Sequence, residues 1–219
     1  MMKTKGTQKM THLYLVRHGN YVKVEQDKFI DGRLSPKGVQ QAERLRDRLL
    51  ESKDIKIDVL ISSTMQRAQH TAEIIAPALG LPIILEEDVE EWRNEDGSLT
   101  EEEFITLWRD VPAEERPFFR WVYGCENWME FIVRTTSALH RIIHEHDGKH
   151  IMIICHGGII EASFVYFFEM SMANLRRATV DARHTSITHW HKARVEGFPA
   201  MWLLERYNDT QHLDDFVAL

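Results

Sequence analysis

Two arginines and two histidines stand directly after apolar runs of strand length. Arg17 and His18 follow LYLV, Arg67 comes shortly after IDVLIS, and His156 follows HIMIIC. Arginine binds phosphate oxygens through paired hydrogen bonds, and histidine can donate a proton or attack phosphorus. If the three runs are neighbouring parallel strands, their carboxyl ends meet at the sheet edge where ligands bind. The pattern therefore predicts a binding site for a phosphate group.

The position of His18 at a strand end favours nucleophilic chemistry. One ring nitrogen can face phosphorus while a backbone carbonyl holds the other and sets the tautomer. We expect the following residue, Gly19, to let the phosphate approach the backbone closely. Transfer to the imidazole divides hydrolysis into two easier steps, in which positive groups stabilise the charge on the phosphoryl oxygens. An acid must still protonate the leaving alkoxide.

The elements that position these residues alternate along the chain. Apolar runs predict interior strands at 12–17, 57–62 and 150–155. A helix capped by Ser35 separates the first two strands, and a second helical pattern runs from Thr64 to a stop at Gly80. This order predicts an α/β fold, a three-layer sandwich with a mostly parallel central sheet flanked by helices.

The second half of the chain adds helices and a hairpin. A helix is predicted over roughly 127–146, and Gly157 and Gly158 open another. Two late strands, 185–191 and 200–206, should pair antiparallel through a turn over Gly197 and Pro199. The acidic and aromatic segment 86–131 has poor periodicity and is interpreted as an insertion or lid over the site, within a single domain spanning 1–219.

Composition excludes several classes of protein. The 219 residues carry a formal net charge of −7, which argues against binding to nucleic acid because no basic face is visible. The two cysteines, Cys125 and Cys155, have neither the spacing of a zinc site nor the number expected of a disulfide framework. They favour a reducing cytoplasm. No run approaches the ~20 apolar residues of a membrane span or signal anchor, so we expect a soluble, unanchored protein.

The stretches LVRHG, SSTMQRAQHTA and ICHGG together resemble the histidine phosphatase superfamily, also called phosphoglycerate mutase-like. LSPKGVQQAERL is similar to the stretch that follows RHG in that family, and the resemblance covers roughly 12–206. It implies that His18 becomes phosphohistidine and that Arg17, Arg67 and His156 hold the phosphoryl group. No metal or organic cofactor is implied. The candidate substrate-binding residues also include Gly19, Asn20 and Gly157.

The acid of the family is a glutamate after the second crossover helix, and VEE at 89–91 matches its frame. This nominates Glu91, with Glu90 as the main competitor and Glu86 and Glu87 close by. Burial beside Trp92 would raise the pKa of such a carboxyl and keep it protonated. Glu126, in a GCENW stretch similar to a GESW-like family segment, is expected to order the site from behind.

Two departures from the family pattern bear on function. Many members carry an asparagine six residues after the histidine, where this chain has Val24, and Asn20 is a candidate substitute. Mutases tend to continue ERHYG after the acid, whereas Trp92, Arg93 and Asn94 follow here. The sequence therefore favours a phosphatase acting through phosphohistidine. Mutase-type phosphoryl transfer and a non-catalytic phospholigand-binding module stay as alternatives.

The substrate is left open by the sequence. A small phosphorylated metabolite or a phosphopeptide would suit the site, and the sequence is compatible with a homodimer. A second anionic group could be contacted by several basic residues, namely Lys23, Lys28, Arg33, Arg93, Arg176 and Arg177.

Histidine pairs elsewhere raise the question of a metal. His140, His144 and His146 share a helical stretch, and strand alternation places His189 and His191 on one face. No carboxylate or cysteine spacing completes a metal site around either group. We therefore interpret these histidines, and His184, as structural or solvated and predict no metal site.

Overall fold

A six-stranded sheet forms the middle layer of the protein, in a computed structural model that describes residues 10–22, 24–25, 28–29, 31–52, 55–94, 96–170, 179–193 and 199–215. The strands are β1 His12–Arg17, β2 Val24–Glu25, β3 Lys28–Phe29, β4 Val59–Ser63, β5 Ile83–Glu86, β6 His150–Cys155, β7 Ile187–Ala193 and β8 Met201–Asp209. The sheet order is β5-β4-β6-β1-β7-β8, and β2 and β3 pair separately. Strands β5, β4, β6 and β1 are parallel to one another. Strand β7 is antiparallel to β1, and β8 is antiparallel to β7. The predicted mostly parallel sheet is confirmed.

Helices cover both faces of this sheet. They are α1 Pro36–Glu51, α2 Gln66–Leu79, α3 Glu101–Asp110, α4 Trp128–Glu145 and α5 Gly157–Phe167. Residues of α1 and α2 pack with one core cluster, and residues of α4 and α5 pack with the other. The predicted three-layer sandwich is therefore confirmed.

The alternation of side chains along the strands creates the two cores. Leu13 and Leu15 of β1 face the cluster that contains α4 and α5, while Tyr14 and Val16 face α1 and α2. All four side chains are buried. A strand that is apolar on both faces can lie only in the interior of a sheet covered on both sides. The sequence LYLV thus fixes β1 as a central strand.

The predicted element ends agree closely with the structure where local signals mark them. The Ser35 hydroxyl accepts the Gly38 N–H and caps α1, and Gly80 ends α2 in the left-handed conformation at φ 64°. The helix expected from Thr64 begins at Gln66, after Met65 as its N-cap. Part of the turn predicted over Gly197 and Pro199 lies outside the described residues.

The segment 86–131 differs from the predicted insertion at both ends. Glu86 is the last residue of β5, an edge strand that the sequence analysis missed, and Trp128 and Phe131 belong to α4 and the core. Between these ends, α3 carries Phe104 and Trp108, whose rings pack on Trp121 at centroid distances of 5.5 and 4.9 Å. Its function as a lid stays a prediction.

Within the described part of the chain, no helix combines the length and apolar character needed to cross a bilayer.

Candidate active site

His18 lies just beyond the carboxyl end of β1, next to the ends of β4 and β6. Its side chain is buried, with 2% of the residue exposed. Nδ1 lies 2.8 Å from the Gly19 carbonyl oxygen, so Nδ1 carries the proton and donates it. The other nitrogen, Nε2, lies 3.2 Å from Nε of Arg67 and accepts its N–H. In this tautomer the lone pair is on Nε2, where it accepts the Arg67 N–H, and a phosphoryl group beside that guanidinium could take the place of this hydrogen bond.

The surroundings keep His18 neutral. Burial lowers the pKa of this imidazole well below its usual value, and the positive charge of Arg67 lowers it further. A neutral imidazole has the free electron pair that nucleophilic attack requires. His18 could therefore act as a nucleophile at physiological pH without a separate base.

Arg67, in the first turn of α2, is held from three sides. Its Nη1 pairs with Asp31 at 2.8 Å, and its guanidinium carbon lies 4.7 Å from the Tyr21 ring centroid. The Tyr21 ring also meets His18 edge-on at 5.1 Å. These contacts fix the guanidinium beside His18.

Arg17, the last residue of β1, donates from Nη1 to the Ala182 carbonyl. Its Nε is buried and has no hydrogen-bond partner among the described residues. A Cβ added to Gly157 would lie 3.9 Å from this nitrogen and 4.0 Å from Oε2 of Glu91. Arg17 and Glu91 therefore flank the first residue of α5, and an unused buried N–H donor lies there for an anion.

His156 is fully buried at the N-cap of α5, and its ring centroid lies 5.1 Å from that of His18. Nε2 lies 2.8 Å from the Ser63 hydroxyl oxygen, which also accepts the Met65 N–H. Since the Ser63 oxygen accepts the Met65 N–H, the Ser63 hydroxyl can donate its own proton to Nε2 of His156. His156 then carries its ring proton on Nδ1. Nδ1 has no hydrogen-bond partner among the described residues. Burial and Arg67 lower the pKa of His156, so it can donate while neutral.

The structure separates the two candidate acids. Oε2 of Glu91 accepts the Gly158 N–H at 3.2 Å, and Oε1 accepts the Trp92 N–H at 3.0 Å, which places the carboxyl group at the start of α5. Glu90 instead bonds to the Thr64 hydroxyl and pairs with Arg93 at 2.8 Å. The geometry therefore brings Glu91 to the predicted site and directs Glu90 into an ion pair.

A clamp formed by Arg134 and Glu126 holds the Glu91 loop from behind. Both carboxylate oxygens of Glu126 accept hydrogen bonds from Arg134 at 2.8 Å. The Arg134 side chain is only 11% exposed and the Glu126 side chain 13%. The same guanidinium donates to the backbone carbonyls of Asp88, Glu90 and Glu91. Glu126 thus orders the site from behind, as predicted. Arg134 was missed because it lies on α4, far from Glu91 in sequence.

Gly19 and Asn20 make contacts that the sequence analysis did not predict. A Cβ on Gly19 would lie 2.7 Å from the Gly38 carbonyl oxygen, so this glycine allows α1 to approach. Its N–H donates to Thr71, and the Asn20 side chain accepts from Ser35. Close packing against α1 is thus a further reason for glycine at position 19, and the approach of phosphate to Gly19 and its contact with Asn20 stay predictions.

His184 joins the cluster although the sequence analysis set it aside. Nδ1 donates to the His18 carbonyl at 3.0 Å, and the two ring centroids are 5.4 Å apart. Burial, with Arg17, lowers the pKa of His184 to about 4. Only the pairing of β7 with β1 brings this residue to His18, so the sequence carried no local signal for it. Val24, which stands where many family members carry an asparagine, lies in β2.

Comparison with known proteins identifies the family of this chain. The family model for the histidine phosphatase superfamily (branch 1) matches residues 13–210. A relative from Escherichia fergusonii named "Probable phosphoglycerate mutase GpmB" is 31% identical, over 94% of this chain and 96% of that protein. "Uncharacterized phosphatase PhoE" of Bacillus subtilis is 26% identical over 95% and 100%.

Among solved structures, Bacillus stearothermophilus YhfR superposes with a TM-score of 0.72 at 24% identity, covering 93% of this chain and all of that one. This likeness shows the fold, while the family model and the sequence relatives cover nearly the whole chain. The chain therefore belongs to the histidine phosphatase superfamily, branch 1.

Proposed function

We propose that this protein is a phosphatase that hydrolyses phosphomonoesters through a phosphohistidine at His18. The observation that carries the proposal is the direction of one lone pair. Nδ1 of His18 is tied to the Gly19 carbonyl, so Nε2 faces Arg67, with Arg17 and Glu91 at the neighbouring helix start. Membership of the superfamily supports the same chemistry.

In the first step, Nε2 of His18 attacks phosphorus as the bond to the leaving oxygen breaks. Glu91, protonated, gives its proton to that oxygen, so an alcohol departs and the carboxylate is left. Arg17, Arg67 and the Nδ1–H of His156 stabilise the charge on the three other phosphoryl oxygens.

The second step reverses the proton transfer. A water molecule attacks phosphorus, Glu91 takes its proton, and the bond between nitrogen and phosphorus breaks to release phosphate and neutral His18. The guanidinium groups supply the positive charge that phosphoryl transfer needs, so the proposed mechanism needs no metal ion.

The direct test is phosphate release from an aryl phosphate in the presence of a chelator. We expect turnover between pH ~5 and 8, where the lowered pKa of His18 keeps the nucleophile neutral. A folded sample that releases no phosphate from aryl or alkyl esters, but still binds inorganic phosphate, would establish the non-catalytic binding module instead.

A mutase is the second candidate, and the relative named as a phosphoglycerate mutase favours it. Against it, Arg93 after the acid pairs with Glu87 and Glu90 and does not continue the mutase pattern. Incubation with one phosphoglycerate isomer separates the two functions. Isomer interconversion faster than phosphate release would replace the phosphatase proposal.

Substrate recognition is proposed to involve a small phosphorylated metabolite or a phosphopeptide. Two of the basic residues that could bind a second anionic group already form ion pairs. Arg33 pairs with Glu73, and Arg93 pairs with Glu87. Lys23, Arg176 and Arg177 lie outside the described residues. A single panel of phosphorylated metabolites and phosphopeptides would identify the class.

We also propose a cytoplasmic location, and the mass of the protein in solution tests for a homodimer. Cys155 is a buried thiol outside any disulfide, and burial raises the pKa of this thiol and makes it unreactive. A thiol of this kind supports a reducing compartment.

A further inference from the structure

A second group of histidines lies at the opposite end of the central strands. His12 begins β1, His150 begins β6, and His189 and His191 lie on β7. The register of the strands brings these histidines together. His12 lies opposite both His150 and His191, and His189 lies opposite Tyr14, two residues along β1 from His12. His12 and Arg17 are separated by the length of β1, about 17 Å at the usual rise of a strand. The cluster is therefore separate from the candidate active site.

Ring nitrogens of three of these histidines lie close to one another. One ring nitrogen from each of His12, His189 and His191 lies within 4.8 Å of the other two. Nδ1 of His12 and Nε2 of His189 are only 3.0 Å apart. Two nitrogens bound to one tetrahedral zinc ion stand about 3.4 Å apart, since each Zn–N bond is about 2.1 Å. Small ring rotations would therefore bring all three nitrogens to zinc.

The surroundings suit a cation and hold the rings in place. Nε2 of His191 is buried, has no hydrogen-bond partner among the described residues and lies 3.9 Å from the Glu205 carboxylate. Tyr14 stacks on His189 at 4.1 Å, and His150 stacks on His12 at the same distance. Arg206 is the nearby positive charge that acts on His189, and it pairs with Asp209 at 3.4 Å.

The contact between His12 and His189 determines how both rings could bind one metal ion. Their facing nitrogens lie 3.0 Å apart, so at most one of the two carries a proton. For both nitrogens to bind a metal ion, that N–H moves to the outer nitrogen of one ring.

We propose that His12, His189 and His191 form a binding site for a divalent transition-metal ion, with zinc as the ion that fits best and the Glu205 carboxylate as fourth ligand. Three imidazoles and one carboxylate are a ligand set that zinc takes in tetrahedral geometry. Such an ion joins β1, β7 and β8 at the end of the sheet away from His18. Its role is to stabilise the fold, because an ion that binds only the folded state raises its stability.

The test uses the full chain without an affinity tag. The protein is stripped with chelator, then titrated with Zn²⁺ against a chromophoric competitor, and separately with Co²⁺. We expect one Zn²⁺ per chain with a dissociation constant in the micromolar range or below. Co²⁺ should give the intense visible absorption of tetrahedral coordination, and the midpoint of thermal unfolding should rise by several degrees with excess zinc.

Variants assign the ion to its ligands. His191→Gln and His12→Gln should each weaken zinc binding at least tenfold, whereas His144→Gln, on the exposed surface of α4, should bind zinc as the parent does. His18→Ala, which disables the other histidine cluster, should also retain the zinc. His191 is partly exposed, so its variant is expected to fold even if His12→Gln does not.

Three outcomes would overturn the proposal. They are no zinc binding below about 100 μM, unchanged binding in folded His191→Gln, and loss of the zinc in His18→Ala. In the last case the ion belongs to the candidate active site. None of these results bears on turnover in chelator, so failure of the zinc site is distinguishable from failure of the phosphatase proposal.

Discussion

The two ends of the central sheet both gather histidines, yet they suit ligands of opposite charge. At the carboxyl end of β1, His18, His156 and His184 lie beside Arg17 and Arg67. At the amino end, His12, His189 and His191 lie beside one another and near Glu205. Burial lowers the pKa of His156 at one end and of His12 and His189 at the other, so the charge of these rings does not distinguish the two sites.

The neighbours of a neutral histidine therefore decide its chemistry. Nε2 of His18 lies beside fixed guanidinium groups, which favour an anion such as a phosphoryl group. At the other end, three ring nitrogens lie within 4.8 Å of one another and near a carboxylate, an arrangement that favours a cation. Variants at one end of the sheet, and acid acting on both ends, test this difference.

Replacement of the nucleophile should have the largest effect. His18→Ala removes the only group proposed to carry the phosphoryl group, so turnover of aryl and alkyl phosphates should fall together by about 10³-fold or more. Steady-state phosphate release measures this loss, with His144→Ala as the matched control on the exposed surface of α4. Activity that survives in His18→Ala would mean that the nucleophile is another residue.

Removal of the proton donor should depend on the leaving group. Glu91→Gln should lose alkyl phosphate turnover by about 10²-fold, because a poor leaving group needs protonation. An aryl ester with an acidic phenol should still show a burst of phenol release in rapid-mixing measurements. Glu90→Gln is the matched control, since Glu90 is engaged by Thr64 and Arg93. If Glu90→Gln is the damaged variant instead, the acid is Glu90.

Loosening the clamp behind the acid should cost less. Glu126→Gln weakens the buried pair with Arg134 that holds the Glu91 backbone, so kcat for alkyl phosphates should fall about tenfold, equivalent to ~1.4 kcal/mol. Aryl phosphates should lose less, because the clamp acts through Glu91. Glu73→Gln breaks the exposed pair with Arg33 and serves as control. Equal losses on both substrate types would indicate a general structural defect and remove Glu126 from this positioning role.

Acid should reduce stability through both ends of the sheet. The pKa of His12 and of His184 is lowered to about 4 in the folded chain, below the usual 6.5. The unfolded chain then binds more protons below pH 6.5, so stability is full above that pH and falls as the pH drops toward 4. Thermal unfolding midpoints across this range measure the slope. A midpoint that stays level from pH 6.5 to 4 would contradict neutral histidines at either end.

Several parts of the fold could be predicted because their causes are local. The apolar run of β1 requires an interior strand, and the Ser35 cap and the left-handed Gly80 mark helix ends within one turn of chain. The edge strand β5 was missed because Ile83–Glu86 is short, partly exposed and without alternation. Its place in the sheet depends on pairing with β4, which no local pattern records.

The candidate site divides in the same way. Sequence alone nominated His18, Arg17, Arg67 and His156 because each follows a strand, and strand ends in a parallel sheet meet at one edge. Tertiary structure placed Glu91, and not Glu90, at the start of α5, and it brought Arg134, His184 and Ser63 to the candidate site. It also brought His12 to His189 and His191, which the sequence showed only as an isolated pair. Strand periodicity tells which face a residue occupies, but pairing across nearly the whole chain determines its neighbours, and those neighbours set its charge state and its ligand.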